Sequence, residues 1–175
     1  MLPYEMVREL PHDFALAIQT NPKNHHKAYH VMDSFHHPGV CVSLEKTAWN
    51  LRHLLESKGI DTRKMHIIDP LSKVIGSLLE VNNTTHIPYN LTNIINASEA
   101  ALAQLPLKER FIILDSLHAL PLVYDDRTII SFLRTLNARL KLHHTKAMYL
   151  YDKEKLPDTV RRILHKIVDK VIQMN

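Results

Sequence analysis

Asp115 and Ser116 close the run FIILDS (111–116), in which four successive apolar residues deliver a carboxylate and a hydroxyl to what reads as the end of a buried strand. An acid so placed holds the magnesium of ATP in many nucleotide hydrolases; the competing structural reading is an acid that caps the following turn through its own side chain. Five histidines, His25, His26, His30, His36 and His37, crowd one segment. A zinc site needs about four ligands at short range, usually with cysteine or a carboxylate, and these five define no such spacing. They read as surface histidines flanking a helix. Arg161, Arg162, His165, Lys166 and Lys170 recur at helical spacing, a stripe able to meet phosphates. Without interleaved aromatics or a glycine-rich loop it reads as a solvated helix face.

The elements that must position these residues are set out by hydrophobic patterning. Short runs rich in Val, Ile and Leu, at 14–20, 39–44, 65–69, 111–116, 147–151 and 170–174, are apolar on successive residues. That pattern suits strands covered on both faces, as in a parallel sheet. Between them lie amphipathic stretches. TAWNLRHLLESKG predicts a helix with Gly59 at its carboxyl end; LTNIINASEAALAQL predicts one stopped by Pro106; DDRTIISFLRTLNARLKLHH carries Asp125 and Asp126 where the helix dipole favours acids; PDTVRRILHKIVDKV opens with a proline. Residues 82–90, NNTTHIPYN, form the most polar loop. Strands alternating with helices imply a three-layer α/β/α domain with a mainly parallel sheet, whose ligands gather at the carboxyl ends of the strands. Trp49 reads as core or interface packing.

The chain has 175 residues, 45% hydrophobic and 23% charged, so one globular domain over 1–175 is expected and wholesale disorder is excluded. A formal charge of +4 permits a nucleic-acid partner without pointing to one. No apolar run approaches the ~20 residues that cross a bilayer, and the opening MLPYEMVRELPHDF has acids where a signal peptide would be basic and then apolar. The protein is therefore expected to be cytoplasmic, with no membrane partner. The single cysteine, Cys41, excludes an internal disulfide and reads as a small buried side chain.

Taken in order, GVCVSLEKTAWNLRHLLESKGID, MHIID, FIILDSLHALPLVYDDRTIISFLRTLNARLK, KAMYLY and LHKIVDKVIQM resemble the RecA/KaiC-like ATPase family, over roughly residues 14–174. The similarity is nearest to small archaeal relatives and implies a RecA-like P-loop NTPase fold. Position by position, the resemblance implies that Asp115 matches the magnesium-holding acid of the Walker B strand and Ser116 the small polar residue beside it. Glu45 matches the acid that polarises the attacking water in active relatives. Its other reading is an ordinary acid at a helix start.

Two departures from the family pattern bear on activity. Lys46 stands where KaiC-type enzymes often carry a second glutamate. After the first strand the family expects G-x-x-x-x-G-K-[ST], whose backbone N–H groups and lysine cradle the phosphates, whereas this chain reads NPKNHHKAYHVMDSF. Its three glycines, Gly39, Gly59 and Gly76, include none followed by lysine. Asn21, Lys23 and Lys27 are the residues left there to touch an anion. The expectation is a degenerate member: a non-hydrolysing binding or regulatory module acting through a protein partner or self-association, with no cofactor. The alternatives are an atypical nucleotide-binding protein or slow NTPase that uses ATP and magnesium at Glu45 and Asp115, and a nucleic-acid adaptor using the basic stripe.

Overall fold

Successive residues of the inner strands are buried on opposite faces of one sheet, which is why their apolar runs are unbroken. The computed structural model describes residues 11, 13–21, 23–34, 38–77, 79–107 and 110–174. Its strands are β1 (Ala15–Thr20), β2 (Gly39–Ser43), β3 (Met65–Asp69), β4 (Thr84–His86), β5 (Phe111–Asp115), β6 (Lys146–Asp152) and β7 (Lys170–Gln173). They form one sheet in the order β4-β3-β2-β5-β6-β1-β7, and every pairing is parallel. Such a sheet needs crossover segments on its faces, and these supply the two outer layers.

The helices are α1 (Ala48–Ser57), α2 (Leu71–Ile75), α3 (Leu91–Ala103), α4 (Asp126–Leu142) and α5 (Asp158–Ile167). On one face α3, α4 and α5 place Ile94, Leu102, Ile129, Leu133, Leu136 and Leu164 against Val40, Val42, Ile112 and Leu114 of the strands. On the other, Leu51 and Leu55 of α1 meet Leu16, Ile18, Cys41, Ile67 and Ile113. The helix starts follow their capping residues: the side chains of Thr47, Asn90 and Asp125 each accept from backbone N–H groups of the first turn. Gly59 lies just past α1 with φ 77°, the left-handed conformation that ends helices there.

Three features depart from the sequence reading. The polar loop at 82–90 contains strand β4, recruited to the sheet edge by pairing with β3 rather than by any apolar pattern of its own. Helix α2, five residues long, is too short to show periodicity. Two 3₁₀ segments, His25–Ser34 and Leu117–Leu122, follow the carboxyl ends of β1 and β5. His36 and His37 lie outside the described residues. No described helix is long and apolar enough to cross a membrane.

Candidate functional site

Parallel pairing brings the carboxyl ends of β2, β5, β6 and β1 side by side. The register sets Ser43 beside Asp115 and Thr20 beside Asp152. Ligands of open α/β sheets bind at such ends, where the strand order reverses.

Asp115 ends β5 with no exposed surface. Its Oδ1 receives the Ser116 hydroxyl at 2.9 Å and lies 2.5 Å from His25 Nε2. Ser116 adopts the left-handed conformation, with φ 64°, which costs energy in a residue bearing a side chain and turns its hydroxyl back onto the carboxylate. His25 comes from the 3₁₀ segment after β1, and its Nδ1 lies 2.7 Å from the Thr20 hydroxyl, which donates to the Tyr151 carbonyl oxygen at 3.3 Å. With its hydrogen on Nε2 the ring donates to the carboxylate, and Nδ1 shares the second hydrogen bond with the Thr20 hydroxyl. Tyr29, one helical turn further on, is fully buried with Asp115 and Cys41 among its neighbours. Burial first, then the Asp115 charge, pushes its hydroxyl well above the ordinary phenol range.

Burial alone would raise the Asp115 carboxyl, but the hydrogen bond and charge of His25, with Lys46, bring it down to about 2. The site therefore holds an ionised, sequestered carboxylate whose nearest partner is a histidine of its own chain.

His118, in the second 3₁₀ segment, has its tautomer fixed by the fold. The backbone N–H of Asp152 donates to His118 Nδ1 at 3.0 Å, so Nδ1 is an acceptor and the neutral ring carries its hydrogen on Nε2. Burial is the largest influence lowering the His118 pKa, opposed by Glu45. Nε2 lies 3.5 Å from Glu45 Oε2, which also sits 3.3 Å from Lys46 Nζ. Glu45 is partly exposed; burial pushes its pKa up, but Lys46 and His118 outweigh this and hold it below the usual range.

These groups border a cavity of about 190 Å³ lined by His25, His26, Glu45, Lys46, His118 and Asp152, among others. Of the residues singled out in the sequence, His25, His26, Glu45 and Lys46 line it, while Asp115 and Ser116 do not, Asp115 bonding both His25 and Ser116. Asn21, Lys23 and Lys27 are not among its lining residues. The Asn21 side chain accepts from the Asn24 backbone at 2.9 Å, and the side chains of Lys23 and Lys27 are exposed. Asp69, at the end of β3, is committed to structure: its carboxylate accepts from Ala48 N at 2.7 Å, Ser72 N at 2.8 Å and Ser72 Oγ at 2.6 Å.

The sequence reading missed His25, taken there for a surface histidine, and His118. No local pattern marks either, because their partners are distant in the chain. The available signal was negative: a strand-end acid whose expected lysine and glycines are missing leaves room for another side chain of the same segment to bond it. Among the described residues no cluster of three or more His, Cys, Asp or Glu is placed to hold a metal ion.

No protein-family model matches the chain, and no curated protein matches it. Solved structures do. The KaiC-like protein PH0186 of the hyperthermophilic archaeon Pyrococcus horikoshii superimposes with a TM-score of 0.66 at 20% identity, covering 94% of this chain and 72% of that one. PH0250 of the same organism gives 0.69 at 11% identity over 100% of this chain and 88% of that one. The uncharacterised protein PH0321 of P. horikoshii, solved in complex with an unknown peptide, gives 0.74 at 13% identity over 100% of this chain and 85% of that one. At these identities the likeness is one of fold, and the fold is the RecA-like α/β/α sandwich.

Proposed function

We propose that this chain is a RecA/KaiC-like binding module that associates with a peptide segment of a protein partner and does not hydrolyse nucleoside triphosphates. The observation that carries this reading is the His25 ring on Asp115, in the segment where the family places its phosphate loop. The donors around Asp115 suit a magnesium ion poorly: one carboxylate oxygen is engaged by a ring nitrogen and a hydroxyl, and the other is enclosed without exposed surface.

Three further features support the absence of turnover. A glutamate held below its usual range by Lys46 and His118 is a weak base for drawing a proton from water. The adjoining cavity, about 190 Å³, falls below the ~300–1,000 Å³ of typical ligand pockets. Phosphoryl transfer depends on positioning and charge stabilisation, and the glycine nest and lysine that supply both are missing from the sequence. The peptide carried by PH0321 supports protein association on this fold. The test is magnesium-dependent ATP hydrolysis by the purified chain beside its Glu45→Gln/Asp115→Asn variant. Equal background rates are expected; a wild-type rate clearly above the variant overturns the reading.

A further inference from the structure

β6 carries one N–H group that the sheet itself does not satisfy. Parallel pairing turns alternate N–H groups of a strand toward the same neighbour. Lys146 N donates to the Arg110 carbonyl at 3.0 Å, and the register points Met148 N, Leu150 N and Asp152 N at β5 as well. For Asp152 the carbonyl next in line is that of Ser116. Ser116 has turned away with φ 64°, and its carbonyl accepts from Ala119 N at 2.8 Å instead. The Asp152 N–H goes to His118 Nδ1 at 3.0 Å, in a buried bond. An imidazole stands in for a peptide carbonyl as the last rung between β5 and β6.

The exchange has a chemical consequence, because a peptide carbonyl does not titrate near neutral pH and a ring nitrogen does. Nδ1 accepts only while it is unprotonated. Nε2 already carries the hydrogen of the neutral ring, so a second proton must enter at Nδ1, where it would set two donors face to face. A ring that takes a proton therefore gives up the rung. Glu45, whose Oε2 lies 3.5 Å from Nε2, and Asp115 draw a proton to the ring. Burial opposes it, as do His25, which meets the ring edge-on at 5.9 Å, and Lys155. Lys46, His26 and Asp152 complete the titratable groups on the cavity around it.

We infer that His118 is an acid-released latch: protonation of its ring breaks the last rung of the β5–β6 ladder and frees the turn after β6, residues 152–156, from the second 3₁₀ segment. That turn supplies Asp152 and Lys155 to the cavity, so the proton loosens the cavity wall on the β6 side. The turn's own bonds, from Lys155 N and Leu156 N to the Asp152 carbonyl at 3.3 and 3.1 Å, do not involve the ring, and Leu156 is packed in the core. The opening is local to the rung. It goes beyond the binding reading above and does not depend on it.

The test follows the full chain by NMR from about pH 8 to about pH 5, the range in which histidines titrate. Ring ¹⁵N shifts report the protonation of His118, and amide exchange, normalised to the intrinsic rate at each pH, reports the rungs. At the upper end Nδ1 should be unprotonated with hydrogen on Nε2. As the ring takes its proton, protection of the Asp152 amide should fall about five- to tenfold, the loss of one hydrogen bond. Met148 and Leu150, whose acceptors are carbonyls, should keep theirs within about twofold. His118→Asn offers an acceptor that cannot titrate, so its Asp152 protection should be flat across the range.

An Asp152 amide that stays protected while the ring titrates, a ring that takes no proton by about pH 5, equal losses at Met148 and Leu150, or the same loss in His118→Asn would each overturn the inference. If His118→Asn does not fold, the comparison of Asp152 with Met148 and Leu150 in the wild-type chain decides.

Discussion

Replacing His25 with alanine removes the ring nitrogen that hydrogen-bonds a fully buried carboxylate. The cost can be worked two ways. The Asp115 carboxyl is held at about 2 against an ordinary 3.8; at ~1.4 kcal/mol per unit this corresponds to about 2 kcal/mol. Breaking a buried pair by deleting one partner costs about 3–5 kcal/mol, and the 14% exposure of the His25 side chain puts this pair at or below the lower end. Both routes give about 2–3 kcal/mol, or about 4–12 °C in melting temperature for a chain of this size. The sign with pH follows from a depressed carboxyl pKa: the stabilisation is complete above the ordinary value of 3.8 and is lost as pH falls through about 2. Thermal unfolding followed by circular dichroism should therefore show the full gap between wild type and His25→Ala at pH 7, closing below about pH 4. Asp115→Asn should partly rescue His25→Ala, because an amide no longer needs a cation. Melting of His25→Ala within about 1 °C of wild type at pH 7 would refute the pairing, as would a double variant less stable than His25→Ala alone.

His118→Leu should cost about 1–3 kcal/mol in chemical denaturation, since it leaves the buried Asp152 N–H without an acceptor, whereas His118→Asn can keep one there and should lose less. Because the His118 pKa is lowered by folding, wild-type stability should decline as pH falls below about 6.5, and His118→Asn should flatten that decline. Gly39→Ala would drive a methyl group into the Phe111 ring on the neighbouring strand; a loss of about 1–3 kcal/mol is expected, partly relieved by Phe111→Leu. Burial, then the Asp115 charge, pushes the Cys41 thiol up. A thiol reagent at neutral pH should therefore label Cys41 at the rate of unfolding rather than at that of a free thiol.

What was legible in the sequence followed from how much surface each element buries. β2, β3 and β5 sit inside the sheet and bury both faces, so Val40 to Val42, Ile67 and Ile68, and Phe111 to Leu114 are apolar without a break. α4 buries one stripe, Ile129, Leu133, Leu136 and Leu140, and shows helical spacing. β4 was illegible because an edge strand buries little: its residues are Thr, Thr and His, and backbone pairing with polar side-chain contacts to β3 holds them. At the candidate site Asp115 and Glu45 were legible as strand-end acids. Their partners were not. His25 lies 90 positions from Asp115, and His118 meets Glu45 only through the pairing of β2 with β5. Chemistry assembled by sheet topology leaves no local trace.

The central claim, a RecA-like domain whose strand-end aspartate is held by its own histidine in place of magnesium-nucleotide, is tested most directly by thermal unfolding with ATP, with magnesium, and with both. A ligand selective for the folded state at 100 times its Kd adds about 2.7 kcal/mol, or roughly 5–11 °C for a chain of this size. At millimolar ATP and magnesium the account expects a melting temperature unchanged within about 1 °C. A rise that requires both together would contradict it.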